Sequence, residues 1–115
     1  MKVIIAGGRN FDDYDLLCKT VDYYLSRQND IEIVSGTAKG ADELGERYAE
    51  EKGYKIKRFV ADWNYFGKGA GYIRNEEMAI YADALIVFWD GISKGSQHMM
   101  NIADLYKLKV RIVYY

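Results

Sequence analysis

Short apolar runs recur along the chain and alternate with longer segments in which apolar residues follow a helical spacing. The first run, VIIA at residues 3–6, is continuously apolar, as is typical of a strand buried on both faces of a parallel sheet. Glycines separate most runs from the segments that follow them. The pattern predicts strands at residues 3–6, 31–35, 56–60, 84–89 and 110–113.

The segments between these strands predict helices at residues 12–27, 41–52, 72–82 and 96–106. The first helix opens with Asp12, Asp13 and Asp15, whose charges suit the positive N-terminal end of a helix. Gly53 follows the second helix and is a typical helix stop. The predicted inward face of the first helix consists of Leu17, Val21, Tyr24 and Leu25.

Strands that alternate with helices predict an α/β fold of the Rossmann-like, three-layer type. Right-handed crossovers then arrange the five-stranded parallel sheet in the order 3-2-1-4-5, with helices on both faces. A chain of 115 residues fits one domain, so residues 1–115 are expected to form a single Rossmann-like domain.

The amino-acid composition restricts the expected cellular compartment and the classes of ligand. Half of the residues are apolar, and Cys18 is the only cysteine, so neither a disulfide framework nor a cysteine-rich zinc site is expected. The apolar run near the start is too short to span a membrane, and we expect a soluble cytoplasmic protein. The net charge of −1 disfavours nucleic acid as the main ligand, because duplex binding usually needs a basic field.

Tyrosine is unusually abundant for a small domain. Eleven tyrosines, including the pairs at residues 23–24 and 114–115, exceed what one core of this size readily buries. We therefore expect a homodimer or a higher homo-oligomer.

Three glycine-rich loops follow strands one, two and four: GGRN at residues 7–10, SGTAKGAD at 35–42 and DGISKGS at 90–96. Ligands of such sheets bind outside the carboxyl ends of the strands, where the strand order reverses. Glycines let backbone approach a ligand, and the free amides of a helix start favour an anion. The loops therefore predict a phosphate site. In the alternative interpretation the glycines only form tight turns and the lysines are solvated.

Arg74 is the next candidate, because it lies four residues before Met78 on the inward face of the third helix. An inward guanidinium needs an anionic partner, which is either a ligand phosphate or one of the carboxylates of Asp62 and Asp90. Asn75 is placed to hydrogen-bond a ribose or a base edge.

Aromatic residues are concentrated in the predicted loop at residues 62–71, where Trp63 has two aromatic neighbours. These rings either stack on a base or pack over the edge of the sheet. His98, the only histidine, falls beside an apolar helix face and is expected to be partly buried and structural. No metal cluster or nucleophilic triad is visible.

The predicted ligand-binding residues are Gly7, Gly8, Arg9, Ser35, Gly36, Thr37, Lys39, Gly40, Asp42, Asp62, Trp63, Arg74, Asn75, Asp90, Gly91, Ser93, Lys94, Gly95 and Ser96.

These motifs, in this order and over nearly the whole chain, resemble the YspA-type (YAcAr) branch of the SLOG superfamily: GGR with Phe11, SGTAKGAD, ADW at residues 61–63, RNxxM at 74–78 and FWDGxSKGS at 88–96. The superfamily is related to the LOG cytokinin-activating enzymes and to the DNA-processing protein DprA. The resemblance implies a Rossmann-like fold and a nucleotide-derived ligand, often in bacterial or phage conflict systems.

One departure from the LOG pattern bears on catalysis. LOG-type phosphoribohydrolases carry a catalytic glutamate after a PGGxGT motif, whereas the corresponding residues 93–99 read SKGSQHM, without a carboxylate. The arginine motif at Arg74 also lacks its acidic companion. If the protein is an enzyme, Arg74 is expected to work with Asp62, Asp90 or Asp42; otherwise these aspartates cap helices or hydrogen-bond a ribose.

Three functions stay open at this point. The first is a module that senses or sequesters a nucleotide-derived molecule, such as an ADP-ribose relative or a cyclic nucleotide signal, with no other cofactor. The second is a nucleoside-phosphate N-glycosidase or hydrolase. The third, a DprA-like nucleic-acid module, requires that oligomerisation merge Lys39, Lys68 and Lys94 into a basic stripe.

Overall fold

The computed structural model describes residues 1–115 and contains a five-stranded sheet, all of whose pairs are parallel, in the order β3-β2-β1-β4-β5. This confirms the predicted α/β Rossmann-like fold and strand order. The strands are β1 (Lys2–Gly7), β2 (Glu32–Ser35), β3 (Lys55–Arg58), β4 (Ala84–Trp89) and β5 (Lys109–Tyr114).

Helices connect the strands in the predicted alternation. They are α1 (Tyr14–Leu25), α2 (Ala41–Lys52), α3 (Trp63–Phe66), α4 (Ala70–Tyr81) and α5 (Lys94–Leu105), with a short 3₁₀ turn at Gly67–Gly69. The Asp13 side chain caps α1 by accepting a hydrogen bond from the Leu16 N–H. Gly53 ends α2 in the left-handed conformation, as predicted.

The core lies on both faces of the sheet. Val3 and Ile5 of β1 are buried against α1 and α2, whereas Ile4 and Ala6 are buried against α4 and α5. Successive residues of a strand point to opposite faces, so only a continuously apolar strand can be buried in this way. Leu17, Val21 and Leu25 of α1 are buried as predicted, whereas Tyr24, also predicted to face inward, is 37% exposed.

The predicted loop at residues 62–71 is instead largely helical, and this is the main correction to the predicted elements. The Asp62 side chain accepts a hydrogen bond from the Tyr65 N–H and so starts the one-turn helix α3. Gly67, with φ of 59°, ends it, and the 3₁₀ turn leads directly into α4. Sequence spacing could not reveal a helix of one turn.

β3 ends at Arg58, two residues before the predicted boundary, and Val60 is 74% exposed. None of the five helices has the length and apolar character needed to traverse a lipid bilayer.

Candidate ligand-binding site

A polar cavity of about 100 Å³ opens at the carboxyl ends of the strands, beside the junction of β1 and β4. Its walls come from the end of β1, the β2–α2 loop, α4 and the start of α5. This is the edge at which the strand order reverses and where ligands of such sheets bind. We call this space the polar cavity.

Backbone contacts between two glycine-containing loops shape one side of this edge. The Gly8 N–H donates to the Phe88 carbonyl over 3.1 Å, and the Gly8 carbonyl accepts from the Ala41 N–H over 3.2 Å. A Cβ added at Gly40, whose φ is 77°, would lie 2.3 Å from the Gly8 oxygen. Gly40 therefore lets the two loops pack closely, whereas a Cβ at Gly8 would collide with the side chain of Tyr115.

Arg74 lies in the first half of α4 and lines the polar cavity. Its Nη1 donates to the Gly36 carbonyl over 2.8 Å, and its Nε lies 3.4 Å from Oδ1 of Asn75. Burial lowers the pKa of the guanidinium, and the nearby Asp42 opposes that effect. An ion pair of Arg74 with Asp62 or Asp90 is absent, because the three salt bridges of the structure involve other residues.

Asp42 lies in the first turn of α2, is only 5% exposed and also lines the polar cavity. Its Oδ2 accepts a hydrogen bond from the Ala38 N–H over 3.1 Å, and the structure gives Oδ1 no hydrogen-bond partner. Burial raises the pKa of this carboxyl to about 6, against the lowering effects of the Ala38 N–H and of Arg74. The cavity thus contains a buried acid beside a partly buried cation.

Asn75 is 5% exposed and joins α4 to α5 across the cavity. Its Nδ2 lies 3.1 Å from Nδ1 of His98 and 3.5 Å from the Gly95 carbonyl. The His98 ring stacks on Tyr72 with centroids 4.2 Å apart, and burial lowers the pKa of His98, which favours the neutral ring. His98 is partly buried, as predicted, and it orients Asn75, a role that sequence spacing did not suggest.

The start of α5 forms the opposite wall through Ser93, Gly95 and the buried Ser96. The first amides of a helix have no intrahelical partners and favour an anion. Asp90 Oδ1 accepts from the N–H groups of Ile92 and Ser93, at 2.9 and 2.8 Å. These bonds keep the pKa of Asp90 below its usual range and fix the turn that leads into the helix.

A wider cleft of about 380 Å³ adjoins the polar cavity and shares Arg9, Ala38 and Arg74 with it. We call it the aromatic cleft, because the half-exposed ring of Trp63 forms one wall. Lys39 and Thr37 line the opposite part. Trp63 is 51% exposed, so much of the ring remains accessible to a planar group.

The predicted site residues divide into three groups. The polar cavity is lined by Gly7, Arg9, Asp42, Arg74, Asn75, Ser93, Gly95 and Ser96. The aromatic cleft adds Thr37, Lys39 and Trp63. Neither space is lined by Gly8, Ser35, Gly36, Gly40, Asp62, Asp90, Gly91 or Lys94.

Several residues of the third group, which line neither space, contribute to the fold instead. Ser35 is buried, and its hydroxyl donates a hydrogen bond to Glu46 Oε2 over 2.6 Å. This bond joins the end of β2 to α2. Asp62 caps α3 and Asp90 holds the β4–α5 turn, which differs from their predicted place beside Arg74. Lys94 begins α5 and is exposed.

Sequence reasoning missed the apolar floor of the polar cavity, which is formed by Ala6, Met78 and Met99. Their place in strand and helix patterns identified them only as core. No group of three or more histidine, cysteine, aspartate or glutamate side chains is arranged to hold a metal ion.

Fold and site together define a Rossmann-like α/β protein with a charged cavity at the carboxyl edge of its sheet. Residues 1–66 match the family described as "YspA, cpYpsA-related SLOG family". The chain is also 33% identical over 110 residues to the "Gene 61 protein" of Mycobacterium phage D29, which covers 90% of this chain and 88% of that protein. No solved structure gives a significant match. The chain belongs to the YspA, cpYpsA-related SLOG family.

Proposed function

We propose that this protein binds a nucleotide-derived small molecule across the polar cavity and the aromatic cleft, and that it senses or sequesters this ligand. Membership of the SLOG family is consistent with nucleotide-related binding. The observation that carries the proposal is Arg74, a partly buried guanidinium that lines both spaces and takes part in none of the salt bridges. A desolvated cation without a paired carboxylate is suited to a ligand phosphate.

The surroundings of Arg74 support the same interpretation. Arg9 lines both spaces as well, and the first amides of α5 border the polar cavity. Each charge-assisted hydrogen bond to a phosphate oxygen contributes about 1.5–3 kcal/mol net. Three or four such bonds supply the roughly 8 kcal/mol that micromolar affinity needs. The exposed face of Trp63 is available to a base.

A thermal-shift and calorimetry series with inorganic phosphate, AMP, ADP, ADP-ribose and cyclic dinucleotides tests this function. A ligand at 100 times its Kd stabilises the fold by about 2.7 kcal/mol. We expect at least one nucleotide to do so and Arg74→Ala to lose the effect, while Arg47→Ala on the exposed surface of α2 keeps it. If no phosphate-bearing nucleotide stabilises the wild-type protein, the proposal fails.

Asp42 favours a second function, hydrolysis of a bond in the bound nucleotide. A buried carboxyl whose pKa is raised to about 6 beside a cation is suited to proton transfer near neutral pH. Asp62 and Asp90 line neither space and so are less suited to this role. Chromatography after long incubation distinguishes the two functions, because hydrolysis releases free base or sugar phosphate whereas sequestration returns the ligand intact.

We also propose that the ligand is a signal used in conflict between phages and bacteria. The similarity to a mycobacteriophage protein supports this context. A nucleic-acid function has less support, since Lys94 lies outside the spaces that Lys39 borders and the net charge is −1.

A further inference from the structure

We infer that the polar cavity takes the sugar of the ligand, and that Asp42 selects ribose over 2-deoxyribose by accepting a hydrogen bond from a sugar hydroxyl. This inference rests on the proposed function and specifies the ligand class. The inference starts from two opposite charges in one small space, because Asp42 and Arg74 both line the polar cavity.

The size of the cavity excludes a whole nucleotide. Sites for drug-sized ligands enclose about 300–1,000 Å³. The polar cavity has about 100 Å³, whereas the adjoining aromatic cleft has about 380 Å³. A nucleotide therefore has to divide between the two spaces, with one compact group in the polar cavity and the base in the aromatic cleft.

The chemistry of the cavity decides which compact group fits. A phosphate alone would meet Arg74 favourably, but it would also lie against the carboxylate of Asp42, and like charges at close range repel. A ribose carries hydroxyl donors that suit the carboxylate, while its attached phosphate reaches Arg9 and Arg74 where the two spaces join. A sugar phosphate satisfies both charges.

Asp42 retains an acceptor for such a hydroxyl. Only Oδ2 is engaged, by the Ala38 N–H, and Oδ1 has no partner in the structure. No fully buried side-chain oxygen of the protein lacks a hydrogen-bond partner, so the unpartnered Oδ1 is open to the cavity although the residue as a whole is 5% exposed. Oδ2 thus serves the fold, whereas Oδ1 is available to a hydroxyl donor of a ligand.

Arg74 does not supply the missing partner. The guanidinium donates to the Gly36 carbonyl, and no salt bridge joins it to Asp42. Gly36 lies between the two side chains, since a Cβ added there would be 2.8 Å from Asp42 Oδ2 and 3.2 Å from Arg74 Nε. The acid and the cation thus stay close without a direct salt bridge, and both remain available to a ligand.

Calorimetry at pH 7.5 with the full chain tests the inference. The probes are ribose 5-phosphate against 2-deoxyribose 5-phosphate, and ADP against 2′-deoxy-ADP and 3′-deoxy-ADP. We expect the ribose form to bind about tenfold or more tightly than at least one deoxy form, because a hydrogen bond to a charged group is lost. Asp42→Asn should reduce the ratio and Asp42→Ala should abolish it, whereas Asp104→Asn, on the exposed face of α5, should retain it.

The outcomes separate this inference from the proposed function. Equal affinity for ribose and deoxyribose forms overturns the inference and leaves nucleotide binding intact. Discrimination that survives in Asp42→Ala also overturns it, because another group then reads the sugar. If none of these probes binds, the inference fails, whereas the proposed function is decided separately by the wider ligand series. Should Asp42→Ala not fold, the nearly isosteric Asp42→Asn still decides the role of Asp42, because an unchanged ribose preference in that variant overturns the inference.

Discussion

Asp42 is a buried carboxyl whose surroundings disfavour its ionised form. The residue belongs to the first turn of α2 and its Oδ2 accepts a hydrogen bond from the Ala38 N–H, while Oδ1 has no partner in the protein and is open to the cavity. Its pKa of about 6 lies above the ordinary value of 3.8, so ionisation is less favourable in the folded state than in the unfolded chain. A charge that weakens the fold is typical of a site kept for binding.

We predict that Asp42→Asn stabilises the ligand-free protein at pH 7.5. The folded state holds the Asp42 proton more tightly than the unfolded chain, so the wild-type protein loses stability relative to the variant as pH rises from about 4 to about 6. A difference of two pKa units corresponds to about 3 kcal/mol, which is the upper limit of the gain in the free energy of unfolding. Urea denaturation at pH 4, 5, 6 and 7.5 measures it. A variant that is less stable at pH 7.5, with no dependence on pH, would contradict the assignment.

At the scale of elements, the short helix α3 determines how the aromatic cleft is built. Asp62 caps it and Gly67 ends it, so the Trp63 ring is held at the wall of the cleft by a defined turn of helix. Tyr65, on the same turn, is 80% exposed and lines neither the polar cavity nor the aromatic cleft. The two rings therefore offer a matched pair of substitutions.

Trp63→Ala is expected to weaken nucleotide binding about 5- to 100-fold, since a stacked base contributes about 1–3 kcal/mol. Ribose 5-phosphate, which has no base, should lose little affinity. Tyr65→Ala is the control and should change neither affinity. Calorimetry with ADP and ribose 5-phosphate measures these effects, and equal losses for both ligands would mean that Trp63 does not contact a base.

Much of the fold could be predicted from the sequence, because continuously apolar strands and amphipathic helices report burial directly. Arg9 and Ser93, which line the polar cavity, could be predicted because they come in the loops that follow strands in the sequence. Side-chain direction was less accessible. Asp42 is held at the cavity by a hydrogen bond from the Ala38 N–H. Lys94 is the first residue of α5 and does not line the cavity. The spacing of residues in the sequence predicts neither this hydrogen bond nor this helix boundary.

At the scale of the whole molecule, the two edges of the sheet differ in character. The β3 edge exposes Lys55, Lys57 and Arg58, and charged residues protect an edge strand from pairing. The β5 edge exposes two charges as well, Lys109 and Arg111, but it also exposes Ile112 and Tyr114, at 43% and 65%. The β5 edge is thus the more suitable surface for the homodimer that the tyrosine content predicts.

We expect light scattering to report a dimer and Ile112→Lys to shift it toward monomer, because a charge at the centre of an apolar contact is costly. Ile80→Lys, at a 63% exposed position on α4, is the matched control and should leave the dimer unchanged. A wild-type protein that is monomeric at all concentrations would rule out association.

The cavity is assembled from separate stretches of chain, and this has an evolutionary consequence. The family match ends at residue 66, so it includes Asp42 and Trp63 but not Arg74 or Asn75. In the proposed complex, the residues for sugar and base, Asp42 and Trp63, precede the 3₁₀ turn at Gly67–Gly69, whereas Arg74, a proposed phosphate contact, follows it. In the proposed complex, variation at Asp42 and Trp63 would therefore change the preference for sugar and base without altering Arg74, the proposed phosphate contact.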